Sequence, residues 1–369
     1  MLNLMITHGG ALGDNGFTIP ALMELRRKYD EIYLSCTQHA VTALKDTGLV
    51  DRFIVRHPDM DKATKEQKRN WLLHMVSDID FQEKLNFNGV LPGRYVFHKD
   101  DPKFSSSLEW KRENADGVSF FDAFSERAGT LEAVGRRPEI FLTHKERSWL
   151  RDFRHIYNIP KDAFLLGWQF TGSAKIKWYP FFDTVIQKGI MRKYPHVYVI
   201  GLGDLDNKLT WDRRFHGGRY INLGDSVSFR QAYVLTSIFD CLVAPETGIM
   251  VFAQAWAHVP KIMLSTHTYG YHITFKSSIN SPTPETVIIQ SEAECSPCYN
   301  IVFDCKHDGN NPWTLCMGEI PPEKVIAAIE NVILNAGTAY QKSSASIKEE
   351  VTNIGEDFDL AIEYRDNRC

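Results

Sequence analysis

Residues 238–257 read Ile238-Phe239-Asp240-Cys241-Leu242-Val243-Ala244-Pro245-Glu246-Thr247-Gly248-Ile249-Met250-Val251-Phe252-Ala253-Gln254-Ala255-Trp256-Ala257. The apolar run from Ile238 to Val243 predicts a strand. The turn at Ala244-Pro245-Glu246-Thr247-Gly248 opens a helical pattern through Ala257, so the unit is strand, turn, helix. Such a turn suits the phosphates and sugar of a nucleotide donor. Backbone N–H groups at a helix start attract anions, Gly248 lets a phosphate approach the main chain, and Thr247 can cap the helix or donate to an oxygen. The Glu246 carboxylate beside them suits sugar hydroxyls. An ordinary capped turn of an α/β domain carries the same residue types, so its neighbours must decide between the two readings.

The same alternation extends on both sides of this unit. Residues 164–170, 197–201, 241–244 and 261–265 predict strands, and residues 181–193, 229–239, 249–258 and 322–336 predict helices. Earlier in the chain, strands are predicted at 2–7, 31–36 and 53–55, with helices at 18–28 and 41–45. Residues 138–142 predict another strand and 145–156 a helix. Strands alternating with helices imply parallel sheets, and two such series imply an α/β protein with two doubly wound, Rossmann-like domains facing a central cleft. The expected division is 1–155, 156–336 and a polar tail at 337–369. Within the first domain, residues 57–130 lose the pattern and read as an irregular insertion with interleaved aromatics such as Trp71, Tyr95, Phe97 and Trp110.

The 369 residues include 43% hydrophobic side chains, enough for two cores of ordinary size. With 42 basic and 46 acidic residues the net charge is −4, which argues against nucleic acid as a partner. The N-terminus lacks a basic n-region, and no apolar run reaches the roughly 18 residues of a membrane span, so a cytoplasmic location is the expectation. Of seven cysteines, Cys295, Cys298, Cys305 and Cys316 cluster, while Cys36 and Cys241 sit in apolar strands as small buried side chains. No P-loop motif occurs, and Gly201-Leu202-Gly203 lacks the third glycine of a dinucleotide fingerprint.

Several motifs stand in a recognisable order. Gly10-Ala11-Leu12-Gly13-Asp14 is followed by Thr18-Ile19-Pro20-Ala21-Leu22; then come Lys177-Trp178-Tyr179-Pro180, Gly201-Leu202-Gly203-Asp204 and Glu246-Thr247-Gly248. Cys295-Ser296-Pro297-Cys298 and Cys316-Met317-Gly318-Glu319 close the series. In this order the chain resembles the heptosyltransferase-like family of inverting GT-B glycosyltransferases, glycosyltransferase family 9, which includes lipopolysaccharide heptosyltransferases. Residues 57–130 carry no part of the resemblance. The chain departs from the family in having Glu246 where Asp is usual, and Val251 where a His often follows the Gly by three residues.

The resemblance implies transfer of a sugar, heptose among the candidates, from a nucleotide donor to a saccharide, glycolipid or protein acceptor, with inversion. It implies Asp14 as the base, with Gly10 and Gly13 shaping its loop, although an acid in a first helical turn also merely complements the helix dipole. Lys177 would stabilise the leaving diphosphate, with Ser173 in the same loop and Lys175 as the neighbouring alternative. Thr247 and Gly248 would hold the diphosphate, Glu246 the sugar, and Asp204 the nucleoside. The expected donor is ADP-linked and no catalytic metal is required. His267, Tyr269, Tyr271 and His272 follow a predicted strand and either line the donor pocket or pack in the core. The four clustered cysteines either form a structural zinc or iron site, with His307 as a substitute for Cys305, or are buried thiols. The alternatives to a transferase are a non-catalytic nucleotide-sugar-binding or scaffold protein, a nucleotide-sugar epimerase on the same fold, and a small binding module at the cysteines. A glycolipid acceptor would bring the protein to the inner face of a membrane.

Overall fold

The computed structural model describes residues 1–115, 117–169, 171–203, 218–275, 283–301 and 314–343. Asp204, Cys305 and His307 lie outside them. Two all-parallel sheets organise the chain. The first has the order β3-β2-β1-β4, with β1 Asn3–His8, β2 Glu31–Cys36, β3 Arg52–Val55 and β4 Glu83–Asn86. The second has the order β11-β10-β9-β6-β7-β8. Its strands are β6 Phe164–Trp168, β7 Val197–Gly201, β8 Tyr220–Asn222, β9 Cys241–Pro245, β10 Lys261–Ser265 and β11 Thr286–Gln290. Near-continuous apolar runs such as Phe164–Trp168 and Cys241–Pro245 are buried along their whole length, as parallel strands covered on both faces must be.

The helices of the first half are α1 Leu12–Phe17, α2 Ile19–Lys28, α3 Gln38–Leu44, α4 Lys65–Met75, α5 Leu108–Ala115, α6 Phe120–Arg127 and α7 His144–Ile156. The second half adds α8 Phe229–Leu235, α9 Gly248–Ala253, α10 Leu315–Gly318 and α11 Pro322–Ser343. Local sequence explains their limits. Pro20 occupies the first turn of α2, and Arg26, Arg27 and Lys28 complement the dipole at its end. Thr143 with Glu146 and Ser228 with Gln231 form reciprocal capping boxes that start α7 and α8.

Several expectations need correction. Residues 57–130 are not irregular: they contain α4, β4, α5 and α6, and β4 pairs with β1 as the fourth strand of the first sheet. The strand Glu83–Asn86 is polar and mostly exposed, and α4 has no buried residue, so neither carries a strong apolar period. Residues 138–142 form no strand. Their carbonyls serve side chains instead: Arg230 donates to Phe141 O (3.0 Å) and Arg147 to Leu142 O (2.6 Å). The helix expected at 181–193 is a π-helical stretch over Thr184–Met191, α8 tightens to a 3-10 turn after Leu235, α9 stops at Ala253, and α11 runs on to Ser343.

The formerly patternless segment also straps the two halves together. Phe97–His98, β5, pairs in parallel with Asn300–Ile301, β12. Arg112 donates to the carbonyls of Glu294, Ser296 and Pro297 at 3.0, 2.8 and 3.3 Å. One continuous apolar core runs through both sheets, from Leu4 and Ile6 to Leu242 and Met263, while a second lies between the other face of the larger sheet and α11. The halves meet most closely where α1 crosses α9. A Cβ on Gly16 would lie 2.7 Å from Val251 Cγ1 and 2.8 Å from Phe252 Cε2, so Gly16→Ala is expected to cost about 1–3 kcal/mol by overpacking. Chemical denaturation measures this; an unchanged midpoint would show that the seam is loose.

Candidate functional site

Four loops converge, each leaving the carboxyl end of a parallel strand, where ligands of such sheets bind. They follow β1, β6, β9 and β10. After β1 comes the half-buried Asp14, three residues into the turn that starts α1. Ala11 N–H donates to its Oδ2 (2.9 Å), and among the described residues Oδ1 accepts no hydrogen bond. A Cβ on Gly10 would lie 2.5 Å from His8 Nε2 and 2.6 Å from Asp14 Cβ, so only glycine lets the loop fold with the two side chains this close. His8 is a residue that the sequence reading passed over. Its ring is buried edge-on against Phe124, with centroids 5.3 Å apart. Burial holds its pKa below the ordinary histidine value, with the Asp14 charge pulling the other way.

The loop after β6 carries Gln169, Gly172, Ser173 and Lys177. A Cβ on Gly172 would lie 3.0 Å from Lys177 Cβ and 3.1 Å from Thr247 Cγ2, so this glycine lets Lys177 and Thr247 approach one another. Burial lowers the Lys177 ammonium below the ordinary lysine range, while Glu246 and then Asp14 act to keep it charged. Lys177 thus lies in the field of one carboxylate from each half of the chain. Ser173 is exposed.

After β9, Glu246 and Thr247 are buried, 4% and 6% exposed. Thr247 occupies the cap position of α9 but makes no side-chain cap bond; its hydroxyl donates to Gln169 Oε1 (2.7 Å) instead. This corrects the expectation of a capping threonine. A Cβ on Gly248 would lie 3.3 Å from Gly13 N, so the first half's glycine loop rests on the second half's turn. Val251, at the position where an imidazole was expected, is 2% exposed and fills the seam against Gly16.

Glu246 is surrounded. Ser265 Oγ–H donates to its Oε1, and His267 Nδ1 lies 2.6 Å from Oε2, close without forming an aligned hydrogen bond. Burial pushes the Glu246 carboxyl up, but His267, Ser265 and Lys177 together outweigh it and hold it below the ordinary glutamate value. Of the other residues after β10, His272 packs away from this point, stacked on Phe120 at 5.0 Å, and Tyr269 stacks on Tyr271 at 5.4 Å. These are packing contacts.

Three of the four clustered cysteines lie among the described residues. Cys295 and Cys298 are half-buried and Cys316 is buried, with Asn300 N–H donating to Cys298 Sγ (3.5 Å) and Thr314 Oγ1 lying 3.3 Å from Cys316 Sγ. Among the described residues no three His, Cys, Asp or Glu side chains gather as a metal site. Cys305 and His307 lie outside those residues. Among the described residues, too, no helix is long and apolar enough to cross a membrane.

No protein-family model matches the sequence, and no curated protein matches it. Solved structures do match the fold. A glycosyl transferase family 9 protein from Veillonella parvula superposes with a TM-score of 0.61 at 12% identity, over 90% of this chain and 97% of the other. E. coli ADP-heptose LPS heptosyltransferase II gives 0.59 at 12% identity, over 91% and 100%. The iron-containing heptosyltransferase TibC of enterotoxigenic E. coli, in complex with ADP-D-beta-D-heptose, gives 0.56 at 10% identity, over 91% and 78%. The chain has the GT-B fold of these proteins.

Proposed function

We propose that the protein is an inverting glycosyltransferase of the family 9 type, taking a sugar from an ADP-linked donor. The observation that carries this reading is the contact of the first half's Gly13 loop, which carries Asp14, with Gly248 of the second half, beside the close approach of Lys177 and Thr247 over Gly172. An inverting transfer needs a base on the acceptor side and a cation on the leaving-group side, placed together but not neutralised by a direct salt bridge. Asp14 Oδ1 takes the acceptor hydroxyl proton as that oxygen bonds to the anomeric carbon. The bond from the anomeric carbon to the phosphate oxygen breaks, and its electron pair leaves with the diphosphate, which Lys177 stabilises where its loop, through Gly172, meets Thr247 and Gly248 of the turn after β9. The match to a heptosyltransferase in complex with ADP-D-beta-D-heptose supports adenine and heptose as the first choices. A saccharide acceptor, free, lipid-linked or on a protein, enters from the Asp14 side.

Thermal unfolding with ADP and a panel of ADP-linked sugars tests the reading. At about 100 Kd of ligand, binding adds roughly 2.7 kcal/mol and raises the melting temperature. Thr247→Trp, which crowds the close approach to Gly172, is expected to abolish that rise. No rise in the wild type with any nucleotide would overturn the donor site and leave the scaffold alternative.

A further inference from the structure

Glu246 is poorly placed to read a sugar by itself. Its side chain is 2% exposed, with one oxygen taken by Ser265 and the other faced by His267. His267 is placed differently. Its main chain is clamped, because Tyr299 N–H donates to its carbonyl (2.6 Å), and the preceding Thr266 hydroxyl donates to Ile176 O (2.8 Å) in the loop that carries Lys177. Ser265 Oγ–H, also near Thr268 O (2.9 Å), fixes the turn from below. The ring therefore sits against the Glu246 carboxylate on a main chain held on both sides.

Because Nδ1 faces a carboxylate, Nδ1 is the nitrogen that carries a proton toward Glu246, which leaves Nε2 for another partner. Among the described residues Nε2 has no hydrogen-bond partner, while Nδ1 lies against the Glu246 carboxylate and the main chain is held. A buried carboxylate that fixes an imidazole tautomer so that the distal nitrogen can act is a recurrent division of labour in binding sites. We propose that His267 reads a hydroxyl of the transferred sugar through Nε2, and that Glu246 is a positioning residue acting through it. The inference rests on the donor site proposed above.

The test compares the affinity of ADP with that of a panel of ADP-linked sugars, ADP-D-beta-D-heptose first, by titration calorimetry. His267→Ala is expected to weaken the preferred ADP-sugar about tenfold, the worth of one lost hydrogen bond, and to leave ADP unchanged. His267→Gln, which restores an acceptor, recovers part of the loss. Glu246→Gln, whose amide oxygen still accepts from Nδ1–H, loses less than Glu246→Ala. Equal weakening of ADP and ADP-sugar would overturn the proposal and make His267 a packing or phosphate-binding residue. So would an unchanged ADP-sugar affinity, or a wild type that binds every ADP-sugar no better than ADP. Failure to bind ADP at all is the distinct outcome that overturns the donor site itself.

Discussion

Asp14→Asn is expected to lower sugar transfer by about 10²–10⁴-fold while leaving donor affinity within a factor of two or so, the range over which a positioned base contributes. The substitution isolates the base from the architecture. Asp14 uses Oδ2 to accept the Ala11 N–H bond that shapes the glycine loop, and an asparagine carbonyl keeps that bond. What is lost is the second oxygen, Oδ1, and with it the ability to take a proton. The neighbouring Gly10 allows no compensating shift, since His8 and Asp14 already crowd it. Steady-state transfer rates and donor titration, run on the same preparation, check the result. Unchanged turnover would remove Asp14 from the mechanism; parallel loss of donor binding would mark it as structural.

The second large effect concerns stability. Arg230 on α8 donates to both oxygens of Glu146 (2.6 and 3.0 Å), to Tyr233 Oη (2.7 Å) and to the carbonyls of Lys45 and Phe141 (3.3 and 3.0 Å). It ties α8 of the second half to α7 and the first half, with its side chain 9% exposed and that of Glu146 14%. Glu146→Ala leaves that guanidinium buried without its counter-ion and deletes half of the α7 capping box, and is expected to cost about 3–5 kcal/mol. Replacing both partners by apolar residues of similar volume should cost far less. If the single variant unfolds at the wild-type denaturant concentration, the pair is not what holds this crossing.

The same pair sets an acid limit. Burial raises the Glu146 carboxyl, but hydrogen bonds from Arg230 and Thr143 outweigh it, so the folded pKa lies below the 4.5 of the free side chain. The stability that this shift contributes is complete above 4.5 and is lost as the pH falls through the lower folded value. Titrating stability from neutral to acid pH should therefore show a loss in the wild type that is smaller in Glu146→Ala.

Much of the fold was readable because parallel strands buried on both faces must be apolar throughout. Cys241–Pro245 and Lys261–Ser265 stand out against any background for this reason. Edge strand β4 was not readable, since Glu83, Lys84 and Asn86 are exposed and only pairing with β1 makes them a strand. The reading at 138–142 failed in the opposite sense. An apolar segment can run extended without a sheet when side chains such as Arg230 and Arg147 satisfy its carbonyls. Residue order placed Asp14, Lys177 and Glu246 after strands, but it did not pair Glu246 with His267 or Thr247 with Gln169.

Taken alone, then, the sequence determined that this is an α/β chain of two parallel sheets with polar residues at strand ends, because burial and period are local properties of each segment. Only the tertiary structure decided which strand ends are neighbours. The order β10-β9-β6 puts His267, Glu246 and Lys177 around one point, and the crossing of α1 on α9 brings in Asp14 from more than 160 residues away in the chain. Contacts over such separations depend on strand order and on the shape of a shared core, which no short stretch of residues encodes by itself.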